Sequence, residues 1–223
     1  MEVEKPVLDA QAMADGFSNE GTIQGGFRPL RNIIGLWLIQ ECRRDWMKAG
    51  QNLSWDDIVR EAQGAPALQS IIDTDSPEFY AGGGMEEKIR AFCRRTGQRV
   101  PETVGETARC IYESLALKYR SAIEGLERMK GEAISSLNIV GGGIQNKLLC
   151  QMAADATGRP VVTGPIEGAA MGNLLTQAMA LGDIAGLDEL RDVVRHSVEV
   201  DTYTPNQTPE WEKAYEKLLA LMK

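Results

Sequence analysis

Several residue types that carry chemistry in proteins are scarce in this chain of 223 residues. It has one histidine, His196, and four cysteines without a C-x-x-C spacing, which argues against a zinc site. No apolar run approaches the roughly 18 residues that a membrane span needs, and no basic and then apolar leader opens the chain. Basic residues are also few, 24 against 32 acidic ones, so the net charge is −8. We therefore expect a cytoplasmic protein that binds neither nucleic acid nor membrane.

The rest of the composition is that of an ordinary globular protein. Hydrophobic residues make up 43% of the chain and charged residues 25%, which excludes a disordered or fibrous chain. A chain of this length forms one large domain or two small ones and buries a substantial core.

Apolar residues at helical spacing, with start and stop signals, predict several helices. The first strong one spans 30–48, where apolar residues follow the i, i+3, i+4, i+7 pattern. Capping boxes begin two others, Ser54 with Asp57 and Thr103 with Glu106. Further helices are predicted at 85–96, 146–157, 169–181, 187–194 and 209–222, whereas strands and turns are predicted for 1–29 and a brief strand at 71–72.

The segment from Leu137 onward has the rhythm of an α/β fold. A short strand is followed by Gly141-Gly142-Gly143, then by a helix from Asn146 and a second strand at Val161-Val162. This order is typical of a right-handed parallel crossover.

The three glycines are the most informative motif. A strand that ends in glycines and feeds a helix exposes backbone N–H groups, and it lets a flat ring or a phosphate approach the main chain. A close strand-to-helix turn without a ligand is an equally good reading of the triplet alone. A dinucleotide fingerprint needs a small residue where Asn146 stands, so that reading is disfavoured. An amide there suits the edge of a purine, because it offers donors and an acceptor.

Longer motifs around this turn resemble one known family. They are LRNIIGLWLIQ, IVGGGIQN, VVTGPIEGAAMGN and a threonine-proline-asparagine tail at 204–206. Together they resemble the FGGY carbohydrate kinases, and the resemblance covers nearly the whole chain. It implies an actin-like, ribonuclease H-like α/β fold, in which residues 1–223 form the C-terminal, adenosine-binding domain and the N-terminal sugar-binding domain lies outside this chain.

The resemblance also implies a reaction. It points to ATP-dependent phosphorylation of L-rhamnulose at its 1-hydroxyl, with Mg²⁺ held mainly through the phosphates of ATP or ADP and by the other domain. The phosphate loop and the aspartate base of such kinases have no counterpart here, so we expect the chain alone to lack activity. Two alternatives stay open: a stand-alone nucleotide-binding or interaction module, and a domain of a kinase for another ketose such as fuculose or xylulose.

Residue by residue, the resemblance places Asn32 and Gln40 at the nucleotide and Gly142 against the adenine and ribose. Gly141, Gly143 and Asn146 complete the predicted nucleotide site, and no catalytic or metal-binding residue is carried over. On one helix, positions 32 and 40 would lie roughly 12 Å apart and within about 80° of one face.

Two further expectations concern partners and cysteines. The face toward the other domain is expected to be partly apolar, so the chain alone is expected to self-associate through it. The connection between the helices at 85–96 and 103–131 is short, which predicts that Cys93 and Cys110 approach each other. The resemblance implies that this pair can be bridged, whereas cytosolic thiols are normally reduced, so both states stay open.

Overall fold

Helices and two small β-sheets make up the part of the chain that the computed structural model describes, residues 2–206 and 208–222. The helices are α1 (Ala10–Ala14), α2 (Trp37–Lys48), α3 (Trp55–Gly64), α4 (Met85–Arg95), α5 (Val104–Lys130), α6 (Lys147–Thr157), α7 (Gly168–Leu181), α8 (Leu187–Ser197) and α9 (Pro209–Leu221). The strands are β1 (Phe17–Gly21), β2 (Phe27–Arg31), β3 (Leu137–Ile139), β4 (Val161–Thr163) and β5 (Thr202–Tyr203).

The predicted parallel crossover is confirmed. β3 and β4 pair in parallel, with Leu137 opposite Val161, and α6 connects them. β5, which the sequence did not predict, adds an antiparallel edge strand beside β4. The first sheet is an antiparallel hairpin of β1 and β2, and α1 precedes it where only strands and turns were predicted.

The main core forms around α5, the longest helix. Both predicted capping boxes are present, Ser54 with Asp57 at α3 and Thr103 with Glu106 at α5. Ile111, Tyr112 and Leu115 of α5 are buried and pack with buried residues of α2, α3 and α4. Gly105 lies where α3 crosses α5, and a Cβ there would stand 2.4 Å from the carbonyl oxygen of Glu61. Glycine at this position therefore allows the two helices to approach closely.

The start of the first strong helix was predicted wrongly. The expected helix at 30–48 begins only at Trp37. Leu30 and Arg31 instead pair with β1 in the hairpin, and the N–H of Ile34 donates to Asp75 Oδ1 at 2.7 Å. These tertiary contacts keep residues 32–35 out of a helix, so Asn32 and Gln40 do not share one.

The brief strand predicted at 71–72 was also wrong. Ile71 and Ile72 are fully buried in a loop, and side chains rather than a neighbouring strand accept from their backbone N–H groups. Ile71 donates to Gln98 Oε1 at 2.8 Å and Ile72 to Ser114 Oγ at 2.9 Å.

The predicted approach of Cys93 and Cys110 is confirmed. Both thiols are buried and free in this structure, and they lie close enough to shift each other's pKa. The neighbouring Cys93 thiol and then burial raise the pKa of the Cys110 thiol. Within residues 2–206 and 208–222, no helix has the length and apolar character to cross a membrane.

Candidate functional site

A cavity of about 370 Å³ lies between the glycine turn, α2, α3 and α5. This volume is within the range of small-molecule sites. The cavity is lined by Leu36, Ile39, Gln40, Trp55, Asp56, Val59, Tyr112, Gly142, Gly143, Gln145 and Asn146. Its walls are mainly apolar, and a few amide groups and one carboxylate provide the polar contacts.

The glycine turn forms one wall and leaves room for a ligand. Gly141 has a φ of 88°, and its N–H donates to the carbonyl oxygen of Pro165 at 3.0 Å. Gly142 and Gly143 then begin a short 3₁₀ helix, Gly142–Gln145, that leads into α6. A Cβ on Gly142 would have its nearest neighbour, Gln145 Nε2, at 4.0 Å. The space beside Gly142 is therefore open to the cavity.

Asn146 lies between the end of this turn and the start of α6. It is the N-cap of α6, where its Oδ1 accepts from the N–H of Leu149 at 3.0 Å. Burial raises the pKa of the neighbouring Tyr112 hydroxyl, and the Asn146 side chain partly offsets this effect. Because Oδ1 uses one of its two lone pairs to cap the helix, Asn146 can still offer a ligand its NH₂ group and one acceptor site.

Gln40 comes from a second element that lines the cavity, the helix α2. It belongs to the first turns of α2, beside the apolar Leu36 and Ile39, and its side chain is exposed to the cavity. A carboxamide there can both donate and accept. The amides of Gln40 and Asn146 thus border the cavity from two different elements.

Comparison with known proteins identifies the family of the chain. The C-terminal domain of the FGGY family of carbohydrate kinases matches residues 1–181. The chain belongs to this family. It is 40% identical to the rhamnulokinase of Bacteroides thetaiotaomicron over 215 residues, covering 96% of this chain and 44% of that protein. It is 42% identical to the rhamnulokinase of Klebsiella pneumoniae subsp. pneumoniae over 200 residues, covering 89% of this chain and 40% of that protein.

Solved structures of FGGY-type sugar kinases have the same fold. The xylulose kinase from Rhodospirillum rubrum matches with a TM-score of 0.62 at 21% identity, over 92% of this chain and 41% of that one. Ligand-bound xylulose kinase from Lactobacillus acidophilus matches with a TM-score of 0.64 at 19% identity, over 99% and 43%. The predicted family and α/β fold class are thus confirmed, and the chain spans less than half the length of these relatives.

The FGGY chain brings together four of the six residues predicted for the nucleotide. Gln40, Gly142, Gly143 and Asn146 line one cavity. Gly141 shapes the turn but is not among the lining residues.

Asn32 is not among the residues that line this cavity, and its predicted place at the nucleotide stays a prediction. It follows β2 and borders a different cavity with Asp75 and Tyr80. The helical geometry that joined it to Gln40 does not exist, because α2 begins five residues after Asn32.

Several lining residues were missed by sequence reasoning. Trp55, Asp56 and Val59 come from α3, and Tyr112 comes from α5. The capping box at Ser54 indicated where α3 begins, but no sequence signal indicated that this end meets the glycine turn. As far as the described residues go, no three His, Cys, Asp or Glu side chains are grouped to hold a metal ion.

Proposed function

We propose that this chain is the nucleotide-binding part of an ATP-dependent sugar kinase that converts L-rhamnulose to L-rhamnulose 1-phosphate. The observation that carries the proposal is the 40–42% identity to proteins named rhamnulokinase over most of the chain. A cytoplasmic location and a magnesium ion held through the phosphates belong to the same proposal. The cavity at the glycine turn supports the nucleotide part of it.

The residues that fit a nucleoside are those that line this cavity. An adenosine lies over Gly142, where no side chain fills the space. The NH₂ of Asn146 donates to a ring nitrogen, and Gln40 hydrogen-bonds from α2. Leu36 and Ile39 exclude water from the ring. Asn32 and Gly141, which the resemblance also places at the nucleotide, stay part of the proposed site, although neither lines this cavity.

We expect the chain to bind ATP or ADP, but weakly. No lysine or arginine is among the described residues that line the cavity, so the phosphates gain no charge-assisted bond there. Each such bond contributes about 1.5–3 kcal/mol, so affinity is expected to be at least about two orders of magnitude below that of an intact kinase. Titration calorimetry tests this, and micromolar or tighter binding would contradict it.

Gly142→Val is expected to abolish the residual binding. Its Cβ has no close protein neighbour and its φ is not positive, so the fold tolerates a side chain while the methyl groups occupy the space of the nucleoside. Gly21→Val in β1 is the matched control, because a Cβ there meets nothing within 4 Å and its φ is not positive either. Calorimetry on both variants checks the prediction, and binding by Gly142→Val that equals the control would argue against a ligand at the turn.

We also propose that the isolated chain self-associates through α7. No residue of this apolar helix is buried; Leu174 is 67% exposed and Leu181 81%. A double change of these two leucines to lysine is expected to shift the chain from a concentration-dependent oligomer to a monomer. Light scattering after gel filtration measures it, with Leu8→Lys, also at an exposed leucine, as the control. A wild-type chain that stays monomeric at high concentration would refute the proposal.

A further inference from the structure

The first turn of α3 forms one wall of the cavity. Trp55 and Asp56 are the first two residues of α3, and both line the same cavity as Gly142 and Gly143. The capping box fixes this turn: Asp57 N donates to Ser54 Oγ at 3.1 Å, and Ser54 N donates to Asp57 Oδ2 at 3.0 Å. The wall is therefore held in place before a ligand arrives.

Trp55 is a large aromatic side chain that is only half covered by protein. It is 45% exposed, and the guanidinium of Arg43 lies 4.7 Å from the centroid of its ring. Arg43 is itself held by its Nε, which donates to the carbonyl oxygen of Leu53 at 2.8 Å. Arg43 does not line the cavity, so it supports the indole from outside while the indole borders the cavity. A supported, exposed aromatic ring is a good surface for a base, since stacking on such rings gives large binding contributions.

Asp56 gives this wall its electrostatic character. Among the described residues that line the cavity, it is the only one with a charged side chain. Its carboxylate repels phosphates, so the nucleoside end of a nucleotide, and not the phosphate end, faces α3. Asn146 and Gln40 offer a ligand neutral amide groups, whereas Asp56 provides the charged acceptor among the described residues of the lining.

We propose, on the basis of the nucleotide site proposed above, that α3 reads the base. Trp55 packs against the face of the purine, and Asp56 accepts a hydrogen bond from its exocyclic amino group. The site then prefers an aminopurine to hypoxanthine, which carries a carbonyl oxygen where adenine has its amino group. The ribose hydroxyls are the other donors of adenosine, and the experiment below separates the 2′-hydroxyl from the amino group.

The test is a titration of the chain with adenosine, inosine and 2′-deoxyadenosine, followed by ¹H–¹⁵N NMR. Trp55→Ala is expected to weaken adenosine binding at least about five-fold, and Trp55→Phe to restore most of it. Asp56→Asn is expected to lower the preference for adenosine over inosine at least about five-fold. The ratio between adenosine and 2′-deoxyadenosine is expected to stay unchanged in both.

Two variants control for structural effects. Asp188→Asn removes a carboxylate from the same position of α8 that Asp56 occupies in α3, and Tyr80→Ala removes an exposed aromatic ring outside this cavity. Both are expected to bind the three nucleosides as the wild type does. The dispersion of the amide signals reports whether each variant is folded. If Trp55→Ala does not fold, Trp55→Phe is used in its place.

The outcomes separate this inference from the proposed function. Adenosine-induced shifts at Gly142 and Gly143 in the wild type, with unchanged affinities in the Trp55 and Asp56 variants, would overturn the role of α3 and leave the nucleotide site standing. A change in Asp56→Asn confined to the 2′-deoxyadenosine ratio would overturn base reading, since Asp56 would then bind the ribose. No wild-type shifts at the glycine turn would overturn the proposed site itself, and the inference with it.

Discussion

Replacing Lys118 by methionine is expected to lower the free energy of unfolding by about 3 kcal/mol. Lys118 is a residue of α5 that is only 1% exposed. Its Nζ lies 2.7 Å from Asp73 Oδ1 and 2.7 Å from Asp75 Oδ2. Methionine has a similar length and helix propensity, so the variant loses the charge and little else. The two carboxylates are then left close together without a cation, which is why the expected loss is large.

Urea unfolding of three variants measures this effect. Lys130→Met is the control, because Lys130 is an exposed residue of the same helix and its pair with Glu132 is expected to contribute less than about 1 kcal/mol. A triple variant that also changes Asp73 and Asp75 to asparagine is expected to recover part of the loss, since it removes the unpaired charges. A Lys118→Met variant no less stable than Lys130→Met would show that the cluster contributes nothing.

The same cluster explains why one part of the fold could not be predicted from sequence. Residues 30–37 have the spacing of a helix, and local signals alone favour that reading. In the folded chain, β1 pairs with Leu30 and Arg31, and Asp75, held by Lys118, accepts from the N–H of Ile34. These partners come from distant parts of the sequence, so the spacing of apolar residues at 30–37 cannot reveal their effect.

Where the signals are local, the sequence was enough to predict the structure. The capping boxes of α3 and α5 lie within four residues of each helix start, and Gly131 and Gly158 end their helices with positive φ. The strand, glycine turn and helix around Gly141–Gly143 likewise form from adjacent residues. For this reason β3, α6 and β4 were predicted in order and pairing.

The candidate site divides in the same way. Gly142, Gly143 and Asn146 belong to one contiguous motif, and a family resemblance identified Gln40. Trp55 and Asp56 reach the cavity because α3 packs closely on α5 at Gly105. That contact depends on a glycine that lies far from Trp55 in the sequence, so no pattern near Trp55 could reveal it.

The chain alone is expected to release no ADP above a blank when given ATP, magnesium and L-rhamnulose. Phosphoryl transfer depends on positioned groups that stabilise charge on the phosphates, and loss of a single such group costs 10³–10⁵ in rate. Within the described residues, the cavity is lined by no lysine or arginine and by one carboxylate, Asp56. The rate is therefore expected to be at least about a thousandfold below that of an intact rhamnulokinase.

A coupled assay of ADP release measures this rate. The rhamnulokinase of Bacteroides thetaiotaomicron, 40% identical to this chain, is the positive control in the same mixture. The NMR shifts with adenosine show that the chain used is folded and competent to bind. ADP release that persists in Gly142→Val comes from a contaminating kinase, because that variant has lost the space for the nucleoside. ADP release that requires L-rhamnulose and disappears in Gly142→Val would instead show that the 223 residues contain a complete catalytic site, and the proposal of a nucleotide-binding part would be wrong.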